Sequence, residues 1–183
     1  MKTLIFNGSP RLKGDTQSLI KVLLESLEGE HKIVNAYYEH IAPCIDCRNC
    51  VRCKGCAFKD GMQKVYDYIE ECDNIIIASP IYYSQLTGPL MSVASRLQVY
   101  YCAEKYRKDK MITKEKKGAV LLVGGGNGNP ERAFETATTL LSQMNCTDIH
   151  DLVCCHNTDN VQAINDASTV EGVKKIAEYF NKR

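Results

Sequence analysis

The chain has 183 residues, of which 44% are hydrophobic, so it is long and apolar enough to form one folded domain over 1–183. Its 23 basic and 22 acidic residues leave a net charge of +1, which gives no reason to expect a nucleic-acid or membrane partner. The first apolar run ends at Asn7, too early for a signal peptide, and no stretch approaches the roughly 18 apolar residues of a membrane span. With ten cysteines and no export signal, we expect a cytoplasmic protein whose thiols stay reduced or bind metal.

Short apolar runs alternate with amphipathic segments along the chain. The runs predict strands at 3–7, 32–36, 74–78, 119–123 and 148–154. Apolar residues at helical spacing predict helices at 16–27, 62–72, 89–99, 129–144 and 169–180. Five such βα units, with strands that are apolar on both faces, are typical of a parallel sheet covered by helices on both sides. The basic segment 102–117 is predicted to be a solvated surface excursion, with a contribution to binding a cofactor phosphate as the alternative.

The loop after the first predicted strand enters a helix directly. It combines two glycines, several hydroxyls and two cations, namely Gly8, Gly14, Ser9, Thr16, Ser18, Arg11 and Lys13. Ligands of parallel α/β sheets bind at the carboxyl ends of strands, and the free amides of a helix N-terminus favour an anion. We therefore interpret residues 8–16 as a phosphate loop, with an ordinary Gly/Pro turn before a capped helix as the alternative. The loop matches neither the Walker P-loop nor the G-x-G-x-x-G pattern.

Five cysteines recur at every third position in a cysteine loop at 43–61, namely Cys44, Cys47, Cys50, Cys53 and Cys56. A C-x2-C step lets two thiolates face one metal ion or redox partner, and consecutive steps can wrap a cluster. Zinc, an iron–sulfur cluster, a disulfide relay and reduced thiols all fit this pattern. The other cysteines are interpreted as structural, including the adjacent pair Cys154 and Cys155, whose side chains should point to opposite faces of a strand.

Three motifs in chain order resemble the NADPH-dependent FMN reductase and iron–sulfur flavoprotein family. Gly-Ser-Pro-Arg-x-x-Gly-x-Thr at 8–16 is similar to the family's FMN-phosphate loop, and Asp-Gly-Met at 60–62 is similar to the end of its cysteine loop. The run at 78–90, Ala-Ser-Pro-Ile-Tyr-Tyr-Ser-Gln-Leu-Thr-Gly-Pro-Leu, resembles its flavin-ring loop and the following helix. The resemblance implies a flavodoxin-like three-layer sandwich, whose five-stranded parallel sheet has the order 2-1-3-4-5.

The resemblance also implies an FMN site. It places the FMN phosphate among Ser9, Arg11, Asp15, Thr16, Gln17 and Ser18. It places the flavin ring along Pro80, Ile81, Tyr82, Tyr83 and Ser84, which we name the flavin loop. The glycine loop at 124–129, with Gly125 and Gly126, would bring backbone amides toward the flavin edge or a phosphate, or would serve only as a flexible turn.

Two departures from the family limit what is carried over. Members often have Asn where this chain has Asp15, and because a carboxylate repels a phosphate, Asp15 is expected to point away from it. Members also often have a Lys after the motif at 78–90 and an Asp-Arg pair further on. This chain has Met91 and Ser95-Arg96 instead, so no role is carried over from that Lys or that Asp.

In iron–sulfur flavoproteins a C-x2-C-x2-C-x5-C arrangement holds a [4Fe-4S] cluster. Cys44, Cys47, Cys50 and Cys56 reproduce that spacing, and Cys53 is left as a spare thiol that competes for the fourth position. Four cations of the loop are expected to offset the negative charge of such a cluster, namely Arg48, Arg52, Lys54 and Lys59. Free or disulfide-forming thiols and zinc stay open as alternatives.

The expected function is that of an FMN-dependent NAD(P)H oxidoreductase, which passes electrons from a nicotinamide cofactor through FMN to a small-molecule or protein acceptor. A flavodoxin-like electron carrier without its own NAD(P)H activity is one alternative. A zinc-stabilised, non-enzymatic α/β module is another. The family further implies a homodimer or a larger homo-oligomer.

Overall fold

The computed structural model describes residues 1–182. The strands are β1 Lys2–Asn7, β2 Glu30–Asn35, β3 Asn74–Pro80, β4 Lys116–Val123, β5 Cys146–Ile149 and β6 Val153–Cys155. The helices are α1 Asp15–Ser26, α2 Asn49–Arg52, α3 Met62–Glu71, α4 Gly88–Ala94, α5 Gln98–Cys102, α6 Glu131–Gln143 and α7 Ala167–Asn181. A 3-10 turn, Ser95–Leu97, joins α4 to α5, a π-helical turn, Ala103–Arg107, follows α5, and a second 3-10 turn, Ala163–Asn165, precedes α7.

The strands form one parallel sheet in the order β2-β1-β3-β4-β5, which confirms the predicted fold and strand order. The sheet has six strands and not five, because the edge strand predicted at 148–154 is interrupted. β5 pairs with β4 from Lys116 to Gly118, and β6 pairs with β4 from Leu121 to Val123. The register shifts between Lys116 and Lys117, and residues 150–152 lie between the two pieces. β5 and β6 therefore share the edge position that the prediction gave to one strand.

Alternate residues of the central strands face opposite sides of the sheet, and each side carries its own core. Phe6 and Ile77 face the side covered by α3, α4 and α6. Ile5 and Ile76 face the side covered by α1 and α7. This arrangement is the three-layer sandwich that apolar runs in parallel strands predict.

Part of segment 102–117 is not the solvated excursion that was predicted. Cys102, Ala103 and Ile112 are buried, and the segment enters β4 at Lys116. The helix predicted at 89–99 continues instead through α5 and the π-helical turn. Arg107 of that turn donates a hydrogen bond to the carbonyl of Cys50, so the segment packs against the cysteine loop. The prediction of a solvated segment was based on its many basic residues, and charge alone does not indicate this contact.

The carboxyl ends of β1, β3, β4 and β6 meet at one edge of the sheet. The phosphate loop, the flavin loop, the glycine loop and residues 156–162 follow these strands and form that edge. Among residues 1–182, no helix has the length and apolar character needed to cross a membrane.

Candidate functional site

The phosphate loop ends in an open helix N-terminus. The amides of Asp15, Thr16 and Gln17 donate to no acceptor within residues 1–182, as expected for the first turn of a helix. Ser9 is buried, its amide is held by Asn7 Oδ1 at 3.0 Å, and its Oγ accepts a hydrogen bond from the amide of Arg11 at 3.2 Å. Orphan amides and a positive helix end attract anions, so this loop is chemically suited to a phosphate.

The three polar side chains at positions 15, 17 and 18 of α1 form hydrogen bonds with other groups of the chain. Asp15 Oδ1 accepts a hydrogen bond from the amide of Ala163 at 2.9 Å, so one of its carboxylate oxygens is turned toward the segment before α7. Gln17 Oε1 accepts from Asn7 Nδ2 at 2.9 Å, and Ser18 Oγ donates to the carbonyl of Asp15 at 2.8 Å. The amides of Asp15 and Gln17 are free for a ligand, whereas the amide of Ser18 donates to the carbonyl of Gly14 at 3.0 Å.

The flavin loop contains a tight turn that presents two aromatic rings. Tyr82 and Gln85 exchange two backbone hydrogen bonds of 2.9 Å, and both central residues have positive φ, 52° at Tyr83 and 60° at Ser84. Asn-Gly is the usual sequence for such a turn, because bulky residues are strained there. The Tyr83 side chain is fully exposed, with 102% relative accessibility, and Tyr82 is 45% exposed. A strained turn that displays bare aromatic rings is a feature of binding sites.

The phosphate loop and the flavin loop are locked together by buried hydroxyls. Thr87 Oγ1 donates to the carbonyl of Gly8 at 2.8 Å, and Ser79 Oγ accepts from the amide of Thr87 at 3.3 Å. A Cβ atom at Gly8 would lie 2.8 Å from Ser79 Oγ and 2.9 Å from Thr87 Oγ1. Glycine is therefore required at position 8 by the close approach of the neighbouring loop.

One cleft of about 140 Å³ gathers the loops at the carboxyl edge. Eight predicted residues line it, namely Ser9, Arg11, Asp15, Thr16, Pro80, Ile81, Tyr82 and Gly125. Gln17, Ser18, Tyr83, Ser84 and Gly126 lie outside its walls.

Residues after β6 complete the cleft, and the sequence reasoning missed them. Thr158 and Asp159 line the wall beside Gly125, and their amides donate to the carbonyls of Gly124 and Gly125 at 3.1 Å. The Asp159 carboxylate covers Gly125 closely, because a Cβ there would lie 2.6 Å from Oδ1. The rule that ligands bind at the carboxyl ends of parallel strands, applied to the last strand as well, would have found this segment.

The cysteine loop folds around a second cavity. Its walls include Cys44, Cys47, Cys50 and Cys56, whereas Cys53 lies outside them. Cys47 and Cys53 are both exposed. Within the described chain, no group of three or more Cys, His, Asp or Glu side chains could hold a metal ion, so the four sulfur atoms line the cavity without converging on one point. The structure therefore separates Cys53 from the other four thiols but does not itself assemble a metal centre.

Two sulfur atoms of this cavity accept N–H donors. The amide of Asp46 lies 3.4 Å from Cys44 Sγ, and Arg96 Nη2 lies 3.3 Å from Cys56 Sγ. Burial, followed by the neighbouring Cys102 thiol, raises the pKa of Cys50 to about 11. Cys102 thus lies beside the cavity, although the sequence gave it only a structural role.

An ion pair between the buried Arg96 and the half-buried Asp60 closes the cysteine loop. Arg96 is 2% exposed, and its Nη1 lies 2.6 Å from Asp60 Oδ2. Burial opposes ionisation of Asp60, but hydrogen bonds from Arg96 and from the amides of Ala42 and Met62 hold the pKa of this carboxyl below its usual value. Because the guanidinium also contacts Cys56, the ion pair belongs to the thiol cavity.

Comparisons with known proteins agree with this geometry. The family model of NADPH-dependent FMN reductase matches residues 1–159. The chain is 31% identical over 141 residues to an iron–sulfur flavoprotein of Methanocaldococcus jannaschii, a match that covers 74% of this chain and 68% of the relative. It is 29% identical over 140 residues to an iron–sulfur flavoprotein of Methanosarcina thermophila, covering 74% and 70% of the two chains.

Solved structures share the fold at lower sequence identity. An FMN-dependent NADH-azoreductase of Bacillus anthracis, solved with FMN, superposes with a TM-score of 0.70 at 15% identity, covering 98% of this chain and 99% of the other. An NAD(P)H:quinone oxidoreductase of Methanothermobacter marburgensis gives a TM-score of 0.69 at 15% identity, covering 98% and 94%. The chain belongs to the NADPH-dependent FMN reductase family, and the activity of that family is FMN-dependent NAD(P)H oxidoreduction.

Proposed function

We propose that FMN binds with its phosphate on the N-terminus of α1 and its ring along the flavin loop, and that the thiol cavity holds a [4Fe-4S] cluster. The observation that carries this proposal is the meeting of three loops in one cleft, together with a separate cavity lined by the expected four cysteines. The orphan amides of α1, the buried Ser9 and the cation of Arg11 fit an anionic phosphate. The exposed rings of Tyr82 and Tyr83 fit a planar aromatic cofactor.

FMN, when bound, supplies the hydride and electron chemistry by which a nicotinamide reduces an acceptor. The residues of this chain bind and orient the cofactor. The α1 amides and Arg11 neutralise the phosphate, the turn at Tyr83 offers an aromatic surface, and the lock between Gly8 and Thr87 keeps the two loops at a fixed separation. The two carboxylates of the cleft both contact backbone, since Asp15 accepts from the amide of Ala163 and Asp159 lies against Gly125. This arrangement is consistent with catalysis that works by positioning the cofactor.

The cluster proposal is supported by ligand type and charge. The spacing leaves Cys53 outside the cavity, and N–H donors reach the sulfur atoms of Cys44 and Cys56, as they do for thiolates that bind iron. The cavity has a free volume of only about 20 Å³, so binding requires the cysteine loop to open as well as the thiols to turn toward one point. Zinc would need the same four thiolates, so metal analysis decides between the two.

We also propose that a second copy of the chain covers the flavin loop, in a homodimer or a larger assembly. Tyr82, Tyr83, Met91 and Tyr101 are exposed on the flavin loop and on the helices that follow it. An apolar surface of this kind is typical of a protein–protein interface. Light scattering coupled to size exclusion gives the assembly state, and a monomer in both the FMN-free and the FMN-loaded protein would contradict this part of the proposal.

An anaerobic preparation tests the cofactors together. We expect bound FMN after desalting, bleaching of its absorbance by NADH or NADPH, and about four irons and four sulfides per chain. Cys56→Ser is expected to lose the iron, whereas Cys53→Ser, a matched substitution outside the cavity, is expected to keep it. Zinc in place of iron, or equal iron in both variants, would refute the cluster. FMN that stays oxidised with both nucleotides would indicate a carrier that depends on a separate reductase.

A further inference from the structure

Two charged side chains of the cleft at the carboxyl edge have no partner in the described chain. Arg11 belongs to the phosphate loop and Asp159 follows β6, and both line the cleft. Within residues 1–182, neither the guanidinium nor the Asp159 carboxylate takes part in an ion pair or a side-chain hydrogen bond. Opposite charges that line one cleft without pairing suit a ligand that carries both an anion and hydrogen-bond donors.

The backbone holds Asp159 in a fixed place on its wall. Three consecutive amides, from residues 157 to 159, donate to the three carbonyls of residues 124–126 at 3.1 to 3.2 Å. Asn157 has a φ of 60°, which turns the chain back onto the glycine loop. A Cβ atom at Gly125 would lie 2.6 Å from Asp159 Oδ1, so the carboxylate lies directly on this loop. Asp159 is therefore a pre-organised acceptor, although it is exposed.

The other acceptors on the same side of the cleft are already in use. Thr158 Oγ1 donates to the carbonyl of Gly124 at 3.2 Å. Asp15 Oδ1 accepts from the amide of Ala163 at 2.9 Å. An ionised carboxylate can accept about four hydrogen bonds on its two oxygens. Asp159 is thus the lining carboxylate whose two oxygens are both free for a ligand within residues 1–182.

The size of the cleft decides which part of FMN it can hold. A cavity of about 150 Å³ takes up one benzene molecule, so a cleft of about 140 Å³ accommodates a fragment of FMN and not the whole molecule. Charged and hydroxyl side chains form its walls, whereas the exposed ring of Tyr83 lies outside them. The fragment that fits such walls is the phosphorylated ribityl chain, which carries an anion at one end and several hydroxyls.

We propose that Asp159 is a specificity-determining residue of the FMN site and that its carboxylate accepts hydrogen bonds from the ribityl hydroxyls. This inference rests on the FMN site proposed above. Arg11 and the amides of α1 take the phosphate on one wall, and Asp159 takes hydroxyl donors on the other. Asp159 thereby favours flavins that carry a polyol chain over flavins that lack one.

A carboxylate near a phosphate also repels it, and the two effects have opposite signs. Two unit charges 4 Å apart in water change an affinity by about fivefold, and salt reduces this further. Hydrogen bonds to a charged group contribute a factor of about ten or more. We expect hydrogen bonding to dominate at Asp159, which lies on the wall of the glycine loop. Asp15 differs because it stands in the first turn of α1, where the phosphate is proposed to bind.

Three flavins separate these effects: FMN, riboflavin, which lacks the phosphate, and lumiflavin, which lacks the whole ribityl chain. Their Kd values for the apoprotein are measured by flavin fluorescence. We expect Asp159→Ala to raise the Kd for FMN and for riboflavin by a similar factor of about ten, with no change for lumiflavin. Asp159→Asn keeps one acceptor oxygen and should raise both values by less. Asp151→Ala, which removes an exposed carboxylate outside the cleft, is the matched control and should change none of them.

Other results would overturn this role of Asp159. A lower Kd for FMN in Asp159→Asn, with riboflavin unchanged, would make repulsion of the phosphate the main effect. A rise for lumiflavin as large as that for riboflavin would mean that the substitution distorts the site, and thermal unfolding of the apoprotein would confirm it. Unchanged Kd values in Asp159→Ala would remove the residue from the site while leaving the FMN site intact. Wild-type apoprotein that binds none of the three flavins would overturn the FMN site itself.

Discussion

Replacement of Tyr83 by glycine should stabilise the protein and weaken FMN binding at the same time. The Tyr83 ring is fully exposed, so its removal costs no internal packing. Its φ of 52° is in the left-handed region, which costs an L-residue about 1–2 kcal/mol. Glycine avoids that strain, but its freer unfolded chain returns about 0.5–1 kcal/mol. The balance is a gain of about 0.5–1 kcal/mol, or roughly 1–4 °C in melting temperature for a domain of this size.

The same ring is expected to contact the flavin. An aromatic pair contributes about 0.5–1.5 kcal/mol beyond the area that it buries, so Tyr83→Gly should raise the Kd for FMN by about two- to tenfold. Quenching of FMN fluorescence on titration with apoprotein gives the Kd, and thermal unfolding of the same apoprotein gives the stability. Opposite signs in the two measurements separate a strained binding residue from an ordinary surface tyrosine.

Lys108 provides the matched control, because it is exposed, has a φ of 56° and belongs neither to the cleft nor to the flavin loop. Lys108→Gly should give a similar gain in stability with no change in FMN affinity. Loss of stability in Tyr83→Gly would refute the strain argument. An unchanged Kd would remove Tyr83 from the flavin site and leave the proposed partner subunit as the explanation for its exposed ring.

Four further changes test single features of the structure. Gly8→Ala should destabilise the protein by about 1–3 kcal/mol in urea unfolding, since its Cβ meets two hydroxyls of the neighbouring loop, and Gly128→Ala, with open space around it, should not. Asp15→Asn keeps an acceptor oxygen but removes a charge near the phosphate, so the Kd for FMN should fall about two- to fivefold at low salt and less at high salt. Cys53→Ser should leave the iron content of the anaerobic protein unchanged. Hydrogen bonds at the N-cap of α7 lower the pKa of Asp166 to about 2. Because this folded value lies below the unfolded one, the ionised carboxylate stabilises the fold fully above about pH 4, and that stabilisation is lost as the pH falls toward 2. Asp166→Ala should abolish this pH dependence and cost about 1 kcal/mol of stability at neutral pH.

Features that depend on local pattern were predictable from the sequence. Continuous apolar runs gave the central strands, and helical spacing gave the helices that cover them. The motif at 8–16 predicted a turn that enters a helix directly, because glycines and an open helix end follow one another there in the sequence. The requirement for glycine at position 8 was not predictable, since it depends on Ser79 and Thr87 of a distant loop. The broken edge strand was not predictable, since the register shift of β4 at Lys116 depends on its partner and not on its own sequence.

Features that depend on distant contacts were missed for a physical reason. Arg96 is separated by more than thirty positions from both Cys56 and Asp60, and nothing in its neighbourhood marks it as buried. The loop cations looked better placed to balance charge because they are adjacent to the cysteines in sequence. The sequence shows which charges are neighbours along the chain, but the strength of an electrostatic interaction depends on burial. Burial is known only from the fold. Thr158 and Asp159 were missed in the same way, because they reach the cleft from the last strand.

The two sites are connected by one short rigid element. α4 begins just after the flavin loop, and the turn at its other end carries Arg96 against the cysteine loop. Its seven residues span about 10 Å at the usual helical rise. Thr87, which precedes α4, holds the carbonyl of Gly8 in the phosphate loop. A shift of Arg96 would therefore move a helix whose first turn is fixed to both flavin-binding loops. Because packed helices move as units, we expect the occupancy of the thiol cavity to alter the geometry of the flavin cleft, and a difference in the Kd for FMN between metal-loaded and metal-free protein would show it.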